Sequence, residues 1–214
     1  MHHEDKKDLN SIKITLIGDS GVGKTCIIGR FTSDQFDENS LSTEGVSYSK
    51  IEYYYENKIL NLDLWDTAGQ EKYRSLGKHF YKDSFIVLLV YDVTLRQSFE
   101  NLKKIWLEDI TNFGEEYKVL AIVGNKCDLY EKEVVSEEEA RQFAKENDAI
   151  YLNVSAKNGT NIKELFNACF QKYLDPNFQV NIKELKKKKE DSYVIKNKKK
   201  KDDKKKEKER KGCC

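Results

Sequence analysis

Apolar and polar positions along this chain change period repeatedly. Short apolar runs stand at Ile12–Ile17 (IKITLI), Phe85–Tyr91 (FIVLLVY), Val119–Val123 and Ile150–Val154. Runs of this length, bounded by polar turns, read as buried strands. Val46–Tyr55 and Ile59–Trp65 flank a short polar turn around Glu56-Asn57-Lys58 and predict an antiparallel hairpin. The intervening segments Lys24–Phe31, Gln97–Asn112, Ser136–Asn147 and Asn161–Tyr173 read as helices. Ser136-x-x-Glu139 is a capping box, and Thr160 sits just before the last helix. The alternation predicts an α/β fold: a six-stranded, mostly parallel sheet, helices on both faces, and one antiparallel edge pair. The only proline, Pro176, follows the last helix and marks the end of the folded domain.

Charge changes the picture past that point. Net charge is +1, but from Lys183 to Cys214 sixteen Lys and Arg face seven Asp and Glu, a surplus of nine. Residues 1–182 therefore carry −8, so a mildly acidic globule bears a basic tail. Such a tail suits an anionic partner, membrane or nucleic acid, and is too poor in apolar residues to fold alone. We assign residues 1–10 to a disordered start, 11–176 to one domain and 177–214 to the tail. The longest apolar run, Phe85–Tyr91, is far too short to span a bilayer. The polar start lacks both a secretory h-region and the Met-Gly of myristoylation. His2 and His3 read as a solvated start rather than a metal site. The five cysteines show neither a disulfide framework nor zinc spacing, in keeping with a reducing compartment.

Four motifs carry chemistry. Residues 18–25, Gly-Asp-Ser-Gly-Val-Gly-Lys-Thr, fit the phosphate-cradling pattern G-x-x-x-x-G-K-[ST] between a strand and a helix. Glycines let the backbone wrap closely around phosphate with its N–H groups inward. The candidate cradle is Asp19, Ser20, Gly21, Val22, Gly23, Lys24, Thr25 and Cys26, with Lys24 reaching the outer phosphates and the Thr25 hydroxyl holding Mg2+. The second motif is Trp65-Asp66-Thr67-Ala68-Gly69-Gln70-Glu71. Asp66 at a strand end suits Mg2+ through water, Gly69 permits approach to a γ-phosphate, and Gln70 can orient an attacking water without charge repulsion. The third is Asn125-Lys126-Cys127-Asp128. The Asp128 carboxylate can accept two hydrogen bonds from guanine, a pair adenine does not offer, which favours guanine by roughly 10⁴ or more. The Lys126 stem can lie along the base. Ser155-Ala156-Lys157 could supply a backbone N–H to the guanine oxygen.

In this order, over residues 10–175, these motifs resemble the Ras superfamily of small GTPases. The tryptophan of WDTAGQE, Tyr91-Asp92-Val93-Thr94 and the terminal Cys213-Cys214 resemble the Rab family. The resemblance implies a three-layer P-loop G domain that binds GTP or GDP with Mg2+ and hydrolyses GTP. It implies that Thr43 completes the Mg2+ shell, that Phe36 packs on guanine, and that Lys24, Thr43 and Gln70 serve catalysis. Tyr48, Trp65 and Phe80 would bind effectors; ordinary core packing is the competing reading of these aromatics. Cys213 and Cys214 would each carry a geranylgeranyl group. Two lipids plus basic charge suffice for stable anchoring.

Implied partners are a guanine nucleotide exchange factor, a GTPase-activating protein, a prenylation escort protein, a GDP dissociation inhibitor and effectors. The expected location is the cytoplasmic face of an endomembrane or vesicle, with a cytosolic pool. We expect a monomer and no nucleic-acid partner: the domain is acidic, and the basic stretch from Lys183 to Cys214 has one aromatic where a stacking platform wants several. Tyr193-Val194-Ile195, the tail's apolar island, reads equally as an escort-docking motif or a chance cluster.

The chain departs from the family in its first switch. It reads Thr43-Glu44-Gly45-Val46-Ser47-Tyr48 where Rabs mostly read Thr-Ile-Gly-Val-Asp-Phe, and Ser40 stands where many have tyrosine. His79-Phe80-Tyr81-Lys82 replaces Tyr-Tyr-Arg-Gly. We therefore expect ordinary nucleotide binding and an unusual choice of effector or activator. No arginine is evidently placed to reach the γ-phosphate in cis, so intrinsic hydrolysis should be slow. The alternative is a GTP-bound scaffold that has lost cycling.

Overall fold

The structure, a computed structural model, describes residues 11–38, 45–67, 82–113, 117–178 and 193–194. The strands are β1 (Ser11–Ile17), β2 (Val46–Tyr55), β3 (Lys58–Thr67), β4 (Ile86–Asp92), β5 (Val119–Asn125), β6 (Ile150–Asn153) and β7 (Tyr193–Val194). Their order in the sheet is β6-β5-β4-β1-β3-β2-β7. The six expected strands are all present. The pairings β5/β6, β4/β5, β1/β4 and β1/β3 are parallel, and β2 runs antiparallel to β3.

Two boundaries shift for local reasons. The hairpin turn consists of Glu56 and Asn57, at φ 44° and 63°, the double positive φ that suits a two-residue turn to strand twist. Lys58 therefore belongs to β3, opposite Tyr55. The expected edge pair is also covered on its outer side. Tyr193 and Val194 pair with Tyr54 and Tyr53, so part of the apolar island in the tail adds a short strand to β2.

The helices are α1 (Lys24–Ser33), α2, α3 (Glu137–Glu146) and α4 (Ile162–Leu174). Helix α2 changes character along its length: α-helical over Arg96–Asn101, π-helical over Leu102–Trp106, α-helical again over Leu107–Phe113. A 3₁₀ segment, Cys127–Lys132, was not expected from the sequence.

Every residue of β4 and β5 is buried, as a strand covered on both faces requires. Alternate residues then feed two cores. Leu88, Val90, Ala121 and Val123 pack with α1 and α4, through Ile27, Phe31, Phe166 and Phe170. Val87, Leu89, Leu120 and Ile122 pack with α2 and α3, through Phe99, Trp106, Ala140 and Ala144. Within the first core Phe31 stacks on Phe166, ring centroids 3.7 Å apart.

One expected helix start holds in part, and the other does not. Ser136 does cap α3, accepting from the Glu139 N–H at 3.2 Å. The reciprocal half of the box does not form, because the Glu139 carboxylate is taken by Arg96 and Lys103 of α2. Thr160 does not cap α4. The N-cap is Asn161 in a left-handed conformation, and the Thr160 N–H and hydroxyl both bond the Asn158 side chain. The parallel strands bring their C-terminal ends to one edge of the sheet, where ligands of open α/β sheets bind.

Candidate functional site

The phosphate loop leaves β1 and enters α1. Gly18 sits at φ +147°, and a Cβ there would lie 2.1 Å from the Val90 carbonyl oxygen of β4. Gly23, at φ +95°, has the Asn125 amide nitrogen 2.3 Å from where a Cβ would be. Both positions exclude side chains for reasons of space as well as conformation. Gly23 is also the N-cap of α1 and offers no side-chain cap. The N–H groups of the first turn are thus the ones a phosphate would satisfy.

Lys24 is buried, at 5% exposure, and its Nζ donates to the carbonyls of Gly18 and Asp19, 2.8 Å each. Burial lowers its pKa to about 8, against the opposing pull of Asp66 and Asp19. An ammonium desolvated to this degree gains strongly from an incoming phosphate. Next to it the Thr25 hydroxyl donates to Asp66 Oδ2 at 2.5 Å, and Asp66 is buried at the end of β3. A hydroxyl and a carboxylate in contact at the loop mouth form the hard-oxygen donor set that Mg2+ prefers, so these residues fit the ion.

The opposite side of the site is built from loops after β5 and β6. Asn125 is buried at 2% exposure, and its two ends reach different loops. Its Nδ2 donates to the Val22 carbonyl at 2.8 Å, and its Oδ1 accepts from the Ala156 N–H at 3.2 Å. Lys126 takes a left-handed conformation at φ 67°, and its Nζ lies 2.6 Å from the carboxylate of buried Asp92. Asp92 also accepts from the N–H and hydroxyl of Thr94, at 2.8 and 2.7 Å. The Ser155 hydroxyl donates to Asp128 Oδ1 at 2.5 Å and orients that carboxylate. Arg30 of α1 donates to the Ala156 carbonyl at 2.8 Å and the Lys157 carbonyl at 2.6 Å, bracing the loop after β6 from behind.

These pieces enclose an open cavity of about 410 Å³. Ser20, Gly21, Gly23, Lys24, Thr25, Cys26, Asn125, Lys126, Asp128, Ala156 and Lys157 of the motifs line it, together with Phe36, which the family resemblance pointed to. Asp37, Glu38, Thr67 and Leu129 line it too and were not anticipated. Glu38 closes on Lys157 at 3.1 Å. Val22 and Ser155 are fully buried behind the wall, and the Asp19 side chain is bonded to α2. Thr43, Gly69 and Gln70 lie outside the described residues, as do Ser40, Glu44, Phe80, Cys213 and Cys214. On β2 and β3, Tyr48 is 50% exposed and packs its ring 5.1 Å from half-buried Trp65, so these two aromatics form a surface pair rather than core.

The sequence model of the Ras family matches residues 13–175. Ras-related protein Rab-22A of Homo sapiens is 41% identical over 158 residues, spanning 74% of this chain and 81% of the relative. Ras-related protein RABD2c of Arabidopsis thaliana is 42% identical over 156 residues, spanning 73% and 77%. The chain belongs to the Rab family of Ras-superfamily small GTPases. Rab proteins act in vesicle trafficking, and Ras-family GTPases in general bind GTP or GDP with Mg2+. They work with exchange factors, activating proteins, dissociation inhibitors and effectors. Among the described residues no helix of this Rab is long and apolar enough to cross a membrane.

The supports of the site were missing from the motif reading. Arg30, Asp92, Asn101 and Trp106 each bond a motif residue while standing outside the four motifs. Only Asp92, within Tyr91-Asp92-Val93-Thr94, carried a sequence signal.

Proposed function

We propose that this Rab binds GTP and GDP with Mg2+, hydrolyses GTP slowly to GDP and phosphate, and cycles as a membrane-anchored switch of vesicle traffic. One observation carries the reading. Asn125 ties the phosphate loop to the loop after β6, and the Asp128 carboxylate, oriented by Ser155, lines the same cavity. Sites for phosphate and for guanine thus share one cavity.

Guanine would donate its ring N–H and exocyclic amine to Asp128, while adenine would leave that carboxylate unmatched. Asp92 restrains Lys126, whose stem lies along the base. Lys24 exchanges two carbonyl partners for phosphate oxygens. Thr25, Asp66 and Thr43 would hold Mg2+, which neutralises charge on the transferred phosphoryl group. Gln70 orients the water for in-line attack. An activating protein supplies a cationic finger, worth on the order of 10³–10⁵ in rate.

The switch is read at Glu44, Tyr48, Trp65 and Phe80, and loss of the γ-phosphate releases the segments that carry them. Lipids on Cys213 and Cys214, with the basic tail, hold the protein on the cytoplasmic face of an endomembrane or vesicle. An escort protein delivers the unprenylated chain, and a dissociation inhibitor keeps a cytosolic pool.

The test is binding of fluorescent GDP against fluorescent ADP, followed by single-turnover GTP hydrolysis. We expect GDP to win by a factor on the order of 10⁴, and Asp128→Ala to erase most of that margin. We expect wild-type hydrolysis to be slow and Gln70→Leu to be slower still. Equal binding of the two nucleotides would sink the base assignment. Tight GTP binding without any turnover would replace the switch with a scaffold.

A further inference from the structure

Asp19 places a negative charge within a loop built for anions. Its carboxylate is bonded to α2 instead: Oδ1 accepts from Trp106 Nε1 and Oδ2 from Asn101 Nδ2, each at 2.7 Å. The carbonyl of the same residue accepts from Lys24 Nζ at 2.8 Å. A single residue therefore links α2 to the phosphate-loop lysine. The donors are held in turn. Asn101 Oδ1 accepts from Gln97 at 2.7 Å, which turns its amide nitrogen toward Asp19, and Trp106, 6% exposed, is buried in the second core.

The spacing of the donors explains the π segment. Residues five apart on a regular α-helix point about 140° apart. In α2 the turn between them is widened, closed by the Leu107 N–H on the Leu102 carbonyl, and five-apart residues come onto one side. Asn101 and Trp106 thereby reach the same carboxylate.

We propose that Trp106 and Asn101 are positioning residues that set how long the phosphate loop retains its nucleotide. The inference rests on the guanine-nucleotide reading above. Their two bonds keep the Asp19 charge away from the ligand phosphates and fix the carbonyl that orients Lys24. Without them the carboxylate can turn toward the cavity, and nucleotide leaves faster.

The experiment uses the full chain loaded with fluorescent GDP and chased with excess GDP. Trp106→Phe keeps an aromatic ring in the core and removes the N–H. Losing one bond to a charged group should speed dissociation about tenfold, and Asn101→Ala should speed it several-fold. In an Asp19→Ala background, Trp106→Phe should add less than about twofold, since its target is gone. A packing defect would persist in that background, so an undiminished tenfold effect there overturns the proposal. Rates within twofold of wild type for both single variants overturn it as well. Asn101→Ala lies at the core's margin and decides the matter if Trp106→Phe does not fold. A wild-type chain that takes up no GDP defeats the nucleotide reading and this inference with it. A wild type that binds normally, with unaffected variants, defeats the inference alone.

Discussion

Asn125→Ala is the substitution that most directly tests how the cavity is built. Asn125 is 2% exposed and makes two side-chain bonds, to the Val22 carbonyl and from the Ala156 N–H. Alanine removes both at once. Each orphaned buried partner costs about 1–3 kcal/mol, with the 3.2 Å bond to Ala156 at the low end. A total near 3 kcal/mol follows. For a domain of this size that is a fall of roughly 6–12 °C in Tm, at about 2–4 °C per kcal/mol.

The loss should divide between folding and ligand, because the two bonds hold the phosphate loop and the base loop against one another. If half of it appears in binding, GDP affinity falls about tenfold. Differential scanning of the GDP-loaded protein gives the first number and equilibrium titration the second. Asn125→Asp sharpens the test. It preserves the acceptor for Ala156 but turns an oxygen toward the Val22 carbonyl, so it should do at least as much damage. A GDP-loaded Asn125→Ala protein melting within 2 °C of wild type, with affinity unchanged, would refute the view that this side chain joins the two halves of the site.

Other expectations follow from the same geometry. Gly18→Ala brings a Cβ to 2.1 Å from a main-chain oxygen of β4, at a φ of +147°. Overpacking and backbone strain together should cost about 3–5 kcal/mol in denaturant unfolding, and a cost under about 1 kcal/mol would show that the loop can move aside. Gly21→Ala is the contrast, with nothing among the described residues within 4 Å of the added carbon, so only left-handed strain of about 1–2 kcal/mol is expected without nucleotide. Acid should act through Glu139, whose pKa is held down to about 2, mainly by the Arg96 hydrogen bonds and then by Lys103. A carboxyl with a depressed folded-state pKa stabilises fully above its unfolded value near 4.5 and loses that contribution as pH falls toward 2. The stability gap between wild type and Glu139→Gln should therefore be constant above pH 5, narrow between 4.5 and 2, and shrink in high salt. A gap that grows on acidification would refute the assignment.

What the sequence disclosed, and what it withheld, divides along the range of the interactions. β4 and β5 were legible because burial on both faces leaves an unbroken apolar run, and no second element has to be known to recognise it. The motifs were legible for a related reason. Each loop at a strand end contains within a few consecutive residues the groups that would touch one part of the nucleotide. The partners that hold those loops are remote: Arg30 and Ala156 are 126 residues apart, Asp19 and Trp106 87. No local pattern encodes such a pair.

The failure at α3 has the same origin. Ser136-x-x-Glu139 has the composition of a reciprocal cap, but Arg96 and Lys103 outcompete a neutral backbone N–H for the carboxylate, since a bond between opposite charges is stronger. The π segment hid in plain periodicity. Leu102 and Trp106 are four apart and suit a regular helix, and only the demand of Asp19 for Asn101 and Trp106 together makes the widened turn intelligible. Local chemistry thus names the residues that line the cavity of this Rab, while how firmly they are held is decided by residues that no motif contains.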